Sequence, residues 1–162
     1  MTKRLRWILL ASPWLVLATA LAADERPNLV FILADDLGWS DTTLYGTTEF
    51  YETPNIERLA KRGVLFTNAY TAHPLCSPTR SSIMTGLEPA RTGFISAAGH
   101  LPGVNLEKKM PPRGPSNLKM RLAQSVTRLD TKYTTLAETI QGAGYVTGHF
   151  GKWHLGHDRC PP

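Results

Sequence analysis

The segment from Asn28 to Ala34, NLVFILA, is apolar almost throughout and shows no alternation of polar and apolar residues. Polar and apolar residues alternate in a strand that has one solvent-exposed face. This run therefore predicts a strand buried on both faces, as in a parallel sheet flanked by helices. Two aspartates, Asp35 and Asp36, follow the run directly. We therefore expect an α/β fold in which polar residues mark the end of the first strand.

The rest of the chain supplies further elements in an order typical of α/β folds. We predict strands at 64–70 and 145–150, and helices that begin at Pro54, Cys76 and Leu136. Three parallel strands leave two open sheet edges, and these helices are too few to cover both faces. We therefore expect an incomplete, mostly parallel sheet flanked by helices, the first part of a larger α/β domain.

Residues 1–22 have the three parts of a secretory signal peptide. A basic stretch is followed by apolar residues 7–18 and by an Ala-x-Ala site that ends at Ala22. The alternative is a membrane anchor, but Pro13 interrupts the run, which is shorter than the roughly 18 to 20 apolar residues that a span needs. We expect export to the periplasm or the exterior, with a mature chain of 23–162 and no remaining membrane span.

The net charge of +5 comes from the leader and from residues 103–132, where seven Lys and Arg stand against two acids. Prolines and glycines interrupt 99–132, which predicts a long loop or insertion with a short helix at 118–123. The segment either guides polyanions or is a solvated loop, and we favour the loop. Its cations form no ordered face, so we expect no nucleic-acid partner. Two cysteines exclude a disulfide-dense miniprotein.

Polar clusters follow each of the three predicted strands. Asp35 and Asp36 follow the first, residues 76–80 follow the second after a short loop, and Lys152 and His154 follow the third. Singly, each cluster has a structural explanation, such as a turn, a helix cap or an exposed strand end. Ligands of open α/β sheets bind beyond the carboxyl ends of the strands, so the three clusters together favour a site there.

Cys76 has three interpretations from the residues alone. It forms a disulfide with Cys160, which an oxidising compartment permits, or it is a free thiol at a helix start, or it carries a group made from a thiol.

Four segments, in order, resemble the type I sulfatase family. CSPTR at 76–80 matches the C-x-P-x-R signature and continues into SSIMTGLEPARTG, while NLVFILADDLGW resembles the family's opening strand and metal-binding pair. TPNIERLAKRGVLFTNAY and GYVTGHFGKWHLG are similar to two further segments. The similarity covers nearly all of 27–157 except the basic insertion and is strongest to the bacterial arylsulfatase A-like branch. It implies the alkaline phosphatase-like α/β fold.

The resemblance implies hydrolysis of the sulfate ester of a small molecule or glycan. A separate maturation enzyme would oxidise Cys76 to Cα-formylglycine, whose hydrate attacks the sulfur. Asp35, Asp36 and the formylglycine oxygen would bind Ca²⁺, with Mg²⁺ as the other candidate.

Three further residues take roles from the same resemblance. Arg80 would stabilise the hydrate, Lys152 would contact both sulfate and nucleophile, and His154 would assist proton transfer.

The family's remaining metal ligands, with another His and Lys, belong to a later region that this sequence lacks. We therefore expect the 23–162 chain to have little or no activity alone. Two alternatives stay open: hydrolysis of phosphate or phosphonate monoesters on the related alkaline phosphatase scaffold, and a non-catalytic exported remnant. No residue identifies the alcohol part of the substrate.

Overall fold

The structure, a computed structural model, describes residues 26–157 and divides into two units, one up to Ala34 and one from Asp35 onward. The described part of the first unit, residues 26–34, contains no helix or strand, and its side chains are exposed. The predicted signal peptide at 1–22 and Cys160 lie outside the described residues.

Four α-helices and two short 3₁₀ turns make up the regular structure of the described second unit. The turns cover Trp39–Asp41 and Thr43–Tyr45, and the helices are α1 (Pro54–Ala60), α2 (Cys76–Thr85), α3 (Pro89–Thr92) and α4 (Leu136–Gly142).

Local capping explains one end of each of the three predicted helices. Helix α1 has Pro54 in its first turn, where the missing N–H of proline costs nothing. Helix α4 has a complete capping box, because Thr135 and Glu138 satisfy each other's backbone N–H groups. Helix α2 is terminated by the residue that follows it, Gly86, whose φ of 67° places it in the left-handed region that glycine favours. These three predictions are confirmed.

One other helix prediction is wrong, and one helix was missed. Residues 118–123 form bends and coil instead of a helix, and the four-residue α3 was not predicted. Helix α3 is stabilised by tertiary contacts and not by its own sequence alone. It packs against α2, and Thr92 hydrogen-bonds to the buried Ser81 at 3.0 Å.

Within residues 26–157 no β-strand forms, and an isolated antiparallel bridge joins Lys109 and Gln124. The segments 28–34, 64–70 and 145–150 therefore differ from their prediction as strands. The physical reason is that a strand exists only through hydrogen bonds to a neighbouring strand, and these runs are not paired in the described part of the chain.

The core packs around Phe94, Val126, Leu129 and Leu155, with Met84, Tyr133 and Trp153 partly buried against it. Val126 donates from its backbone N to Gly93 O at 3.1 Å, and Leu129 donates to Leu155 O at 2.8 Å. The end of the basic segment is therefore part of the core, which corrects the expectation of a solvated loop throughout.

None of the helices within residues 26–157 has the length and apolar character needed to cross a membrane.

Candidate functional site

Asp35 is the meeting point of two cations that come from distant parts of the chain. Its Oδ1 lies 3.1 Å from Arg80 Nη2, and its Oδ2 lies 2.6 Å from Lys152 Nζ. These residues belong to the three polar clusters that the sequence predicts to converge. The structure brings one member of each cluster into direct contact.

Arg80 lies on α2, one helical turn after Cys76, with a side chain only 10% exposed. Its Nη1 donates to the main-chain oxygen of Lys152, so one guanidinium binds both the carboxylate and the backbone of the third cluster. Its Nε is buried and has no hydrogen-bond partner within residues 26–157. Arg80 thus joins the start of α2 to the segment that carries Lys152.

The ion pairs shift the pKa values of their members in opposite directions. Hydrogen bonds from Lys152 and then Arg80 lower the pKa of Asp35 below its usual 3.8. The hydrogen bond to Asp35 raises the pKa of Lys152 above 10.5, against the opposing effect of desolvation. Asp35 and Lys152 are therefore both charged across the neutral pH range.

Cys76 is the first residue of α2 and is a partly buried free cysteine. The next residue, Ser77, is fully buried. Ser77 Oγ donates to the carbonyl oxygen of His154 at 2.8 Å and accepts from the backbone N of Gly99 at 3.1 Å. The residue beside the predicted nucleophile thereby holds two loops in place.

His154 and Asp36 share an unusual backbone conformation. Their φ angles are 58° and 59°, in the left-handed region, and they are the positive-φ residues other than glycine in the described chain. Such conformations cost about 1–3 kcal/mol each and cluster at functional sites. Asp36 itself is exposed. Both outliers fall on residues that the sequence selects for chemistry.

The ring of His154 is held in its neutral form. Burial lowers its pKa below 6.5, and the positive charges of Lys152 and Arg80 lower it further, while Asp35 acts in the opposite direction. His154 Nε2 lies 3.1 Å from His100 Nδ1.

These groups border an open cleft of about 440 Å³. Its lining consists of Gly99, His100, Lys152, His154, Gly156 and His157. The sequence analysis did not select His100 or His157. His157 directly follows the GKWHLG motif, which is a usable signal, whereas His100 is a single histidine inside the basic insertion. The cleft collects imidazole and ammonium groups, a composition that suits an anion.

Calcium fits the described residues poorly. Ca²⁺ takes six to eight oxygen ligands, whereas both oxygens of Asp35 are engaged by Arg80 and Lys152. Over residues 26–157, no group of three or more His, Cys, Asp or Glu side chains could hold a metal. The part of the chain that the structure describes does not by itself form a calcium site.

The sequence matches the Sulfatase family over residues 27–159. It is 38% identical over 156 residues to the N-acetylgalactosamine-6-sulfatase of Sus scrofa, covering 94% of this chain and 26% of that protein. It is 38% identical over 132 residues to the N-acetylgalactosamine-6-O-sulfatase of Bacteroides thetaiotaomicron, covering 82% and 21%. It is 40% identical over 133 residues to human (Homo sapiens) arylsulfatase H, covering 82% and 21%. The chain spans about a quarter of the length of these curated relatives.

Proposed function

Since this chain belongs to the sulfatase family, we propose that it carries the nucleophile and the first charge-binding residues of a sulfate ester hydrolase. The observation that supports this most directly is the position of Asp35, paired with Arg80 and Lys152 beside the helix that begins at Cys76. An oxoanion substrate needs such cations held in a fixed geometry.

Sulfatases generally use a formylglycine and Ca²⁺. We propose that a maturation enzyme converts Cys76 to formylglycine, a two-electron oxidation at Cβ: an oxygen at the oxidation level of water replaces the sulfur, hydrogen sulfide leaves, and a two-electron acceptor supplied with that enzyme is reduced. The intact CSPTR context and the partly buried free thiol of Cys76 fit this modification. One hydroxyl of the hydrated aldehyde would attack the sulfur of the ester and expel the alcohol, and the second hydroxyl would then re-form the aldehyde as inorganic sulfate leaves.

Arg80 and Lys152 would provide positive charge where the anion binds. Arg80 is the rigid member, since its guanidinium is nearly buried and also binds the backbone of Lys152. Lys152 keeps 41% of its side chain exposed, so its ammonium can turn towards an incoming sulfate. The charge of Arg80 is already in place, which spares the cost of reorganising it during the reaction.

His154 would accept the proton of the remaining hydroxyl when the covalent sulfate intermediate breaks at its C–O bond to give the aldehyde and inorganic sulfate. Its lowered pKa keeps the imidazole neutral, which is the state that a general base requires. The bond from Ser77 Oγ to its main-chain oxygen fixes its place beside the start of α2.

The metal assignment is a separate part of the proposal. Asp35, Asp36 and the modified Cys76 remain the candidate ligands for Ca²⁺ or Mg²⁺, but the described residues do not complete such a site. No proton transfer or bond change above depends on the ion. A calcium site would need Asp35 to exchange its pairing with Arg80 and Lys152 for the metal, together with oxygen ligands from elsewhere.

We also propose the wider context of the chain. Residues 1–22 would direct export, and 23–162 would form the first part of a sulfatase catalytic domain with 99–132 as an insertion. In a longer polypeptide, 28–34, 64–70 and 145–150 would pair as strands of the alkaline phosphatase-like sheet. Because the chain spans about a quarter of its relatives, we expect little sulfate release from it alone.

The substrate would be a sulfated small molecule or glycan. The relatives named N-acetylgalactosamine-6-sulfatase make a 6-sulfated amino sugar the first candidate to test.

Mass analysis of the proteolytic peptide that contains Cys76 tests the central step. The chain is produced with and without a formylglycine-generating enzyme, and Cys76→Ser serves as the matched control. We expect the aldehyde only when the enzyme is present and only with Cys76 intact. A persistent thiol, or a disulfide to Cys160, would support the non-catalytic remnant instead.

The reaction class is tested with the complete parent protein. Hydrolysis of an aryl sulfate is compared with hydrolysis of the matching aryl phosphonate and phosphate. Faster turnover of the sulfate supports the proposal, whereas faster turnover of a phosphorus ester would assign the phosphatase or phosphonatase alternative.

A further inference from the structure

His100 and His154 form a pair of imidazoles across 54 positions of the chain. His100 Nδ1 lies 3.1 Å from His154 Nε2, and the ring centroids are 5.4 Å apart. His100 is exposed, whereas His154 is partly buried. One of the two nitrogens must donate and the other accept, so the pair restricts which nitrogen of His154 carries the proton.

The other ring nitrogen decides between the two arrangements. His154 Nδ1 is buried and has no hydrogen-bond partner within residues 26–157. A proton on Nδ1 would leave a buried N–H donor without an acceptor, which costs about 1–3 kcal/mol. A proton on Nε2 instead leaves Nδ1 as an acceptor that a donor bound in the site can fill, and it lets Nε2–H donate to Nδ1 of His100. His100 then keeps its own proton on Nε2, on a ring that water reaches.

We propose that His100 is a positioning residue that holds the Nε2 proton of His154 and so leaves Nδ1 of His154 as the basic atom. This inference rests on the proposed function, because a general base needs one defined nitrogen with an open lone pair. The lowered pKa of His154 is consistent with a neutral ring.

The backbone restrains the pair from the other side. Ser77 Oγ binds both the carbonyl oxygen of His154 and the N–H of Gly99, the residue before His100. One buried hydroxyl therefore sets the separation of the two histidines.

The test is long-range ¹H–¹⁵N NMR of the imidazoles in the full chain at neutral pH. We expect His154 to show a pyrrole-like Nε2 and a pyridine-like Nδ1. His100→Asn places an amide oxygen where Nδ1 stood and should preserve this pattern. His100→Leu removes the acceptor and should move both nitrogens of His154 to averaged shifts. His149→Gln, which changes an exposed histidine outside the cleft, is the matched control and should leave His154 unchanged.

A proton on Nδ1 of His154 in the unaltered chain would overturn the inference, as would an unchanged pattern in a folded His100→Leu. If His100→Leu does not fold, the unaltered chain and His100→Asn still decide, since both must show the Nε2-protonated form. The tautomer is measured without turnover or modification of Cys76. Failure of the proposed function would appear in the mass of the Cys76 peptide, and failure of this inference in the His154 shifts.

Discussion

Ser77 Oγ donates a 2.8 Å hydrogen bond to the main-chain oxygen of His154, although 77 positions separate the two residues. Ser77 is fully buried, so the bond is closed to solvent. It ties the first turn of α2 to the third polar cluster independently of the ion pairs at Asp35. The site is therefore held by a buried neutral bond as well as by the ion pairs of Asp35.

Ser77→Ala should destabilise the folded chain by about 1–3 kcal/mol, because the oxygen of His154 and the N–H of Gly99 would both lose a buried partner. Urea unfolding followed by circular dichroism measures the change. Ser82→Ala, on the same helix but partly exposed, is the control and should change stability by less than about 0.5 kcal/mol. Equal stabilities for both variants would show that the Ser77 bond contributes nothing.

Gly99→Ala should be more damaging than its small size suggests. A Cβ on Gly99 would overlap the carbonyl oxygen of His154 and lie 2.9 Å from Ser77 Oγ. Overpacking of this kind costs about 1–3 kcal/mol, and here it would also separate the two histidines. Gly103→Ala is the matched control, since nothing lies within 4 Å of its Cβ position. Thermal unfolding of both variants checks this, and a Gly99→Ala chain as stable as Gly103→Ala would refute the close approach.

The basic segment should contribute to stability through its buried end. Val126 is 2% exposed in the core, whereas Val104, in the same segment, is 61% exposed. We expect Val126→Ala to cost roughly 2 kcal/mol, from two lost methyl groups and the cavity they leave, and Val104→Ala less than about 0.5 kcal/mol. Denaturant titration of the two variants measures the difference. Similar small losses would mean that the segment is solvated throughout.

Stability should fall in mild acid because of His154. Its pKa is lowered below 6.5 in the folded chain, mainly by burial, so below that pH the unfolded chain binds the proton more readily. Stability therefore rises with pH between the lowered pKa and 6.5, and is lost as the pH falls through this window.

His154→Gln should remove this part of the pH dependence, whereas His149→Gln, at an exposed histidine, should retain it. Urea unfolding at about pH 5 and about pH 7.5 provides the comparison. The same pH slope in the His154→Gln and unaltered chains would show that another group is responsible.

Local chemistry explains why much of the helical structure could be predicted. A proline at Pro54, a capping box at Thr135 and a left-handed glycine at Gly86 act on their own backbone, so the sequence nearby contains the whole signal. The contact of Asp35 with Arg80 and Lys152 was predictable only as convergence at strand ends, and the structure brings the three together although the strands do not form.

The remaining features depend on partners that no local pattern reveals. Val126 is buried because Phe94 and Leu155 lie against it, and the proline-rich sequence before it contains no pattern that predicts this contact. His100 acquires a role only through its distance to His154. The apolar run at 28–34 has the composition of a strand. A strand also needs hydrogen bonds to a neighbouring segment, and the composition of the run does not show whether such a segment is present.

The left-handed backbone at Asp36 and His154 has a consequence for anyone who would engineer this chain. Glycine adopts that conformation without steric penalty, so replacing either residue by glycine would relax the main chain while deleting the carboxylate or the imidazole. Selection for thermal stability alone would favour these glycine variants, whereas selection for catalytic turnover would eliminate them. At these two positions, stability and catalytic activity therefore favour different residues.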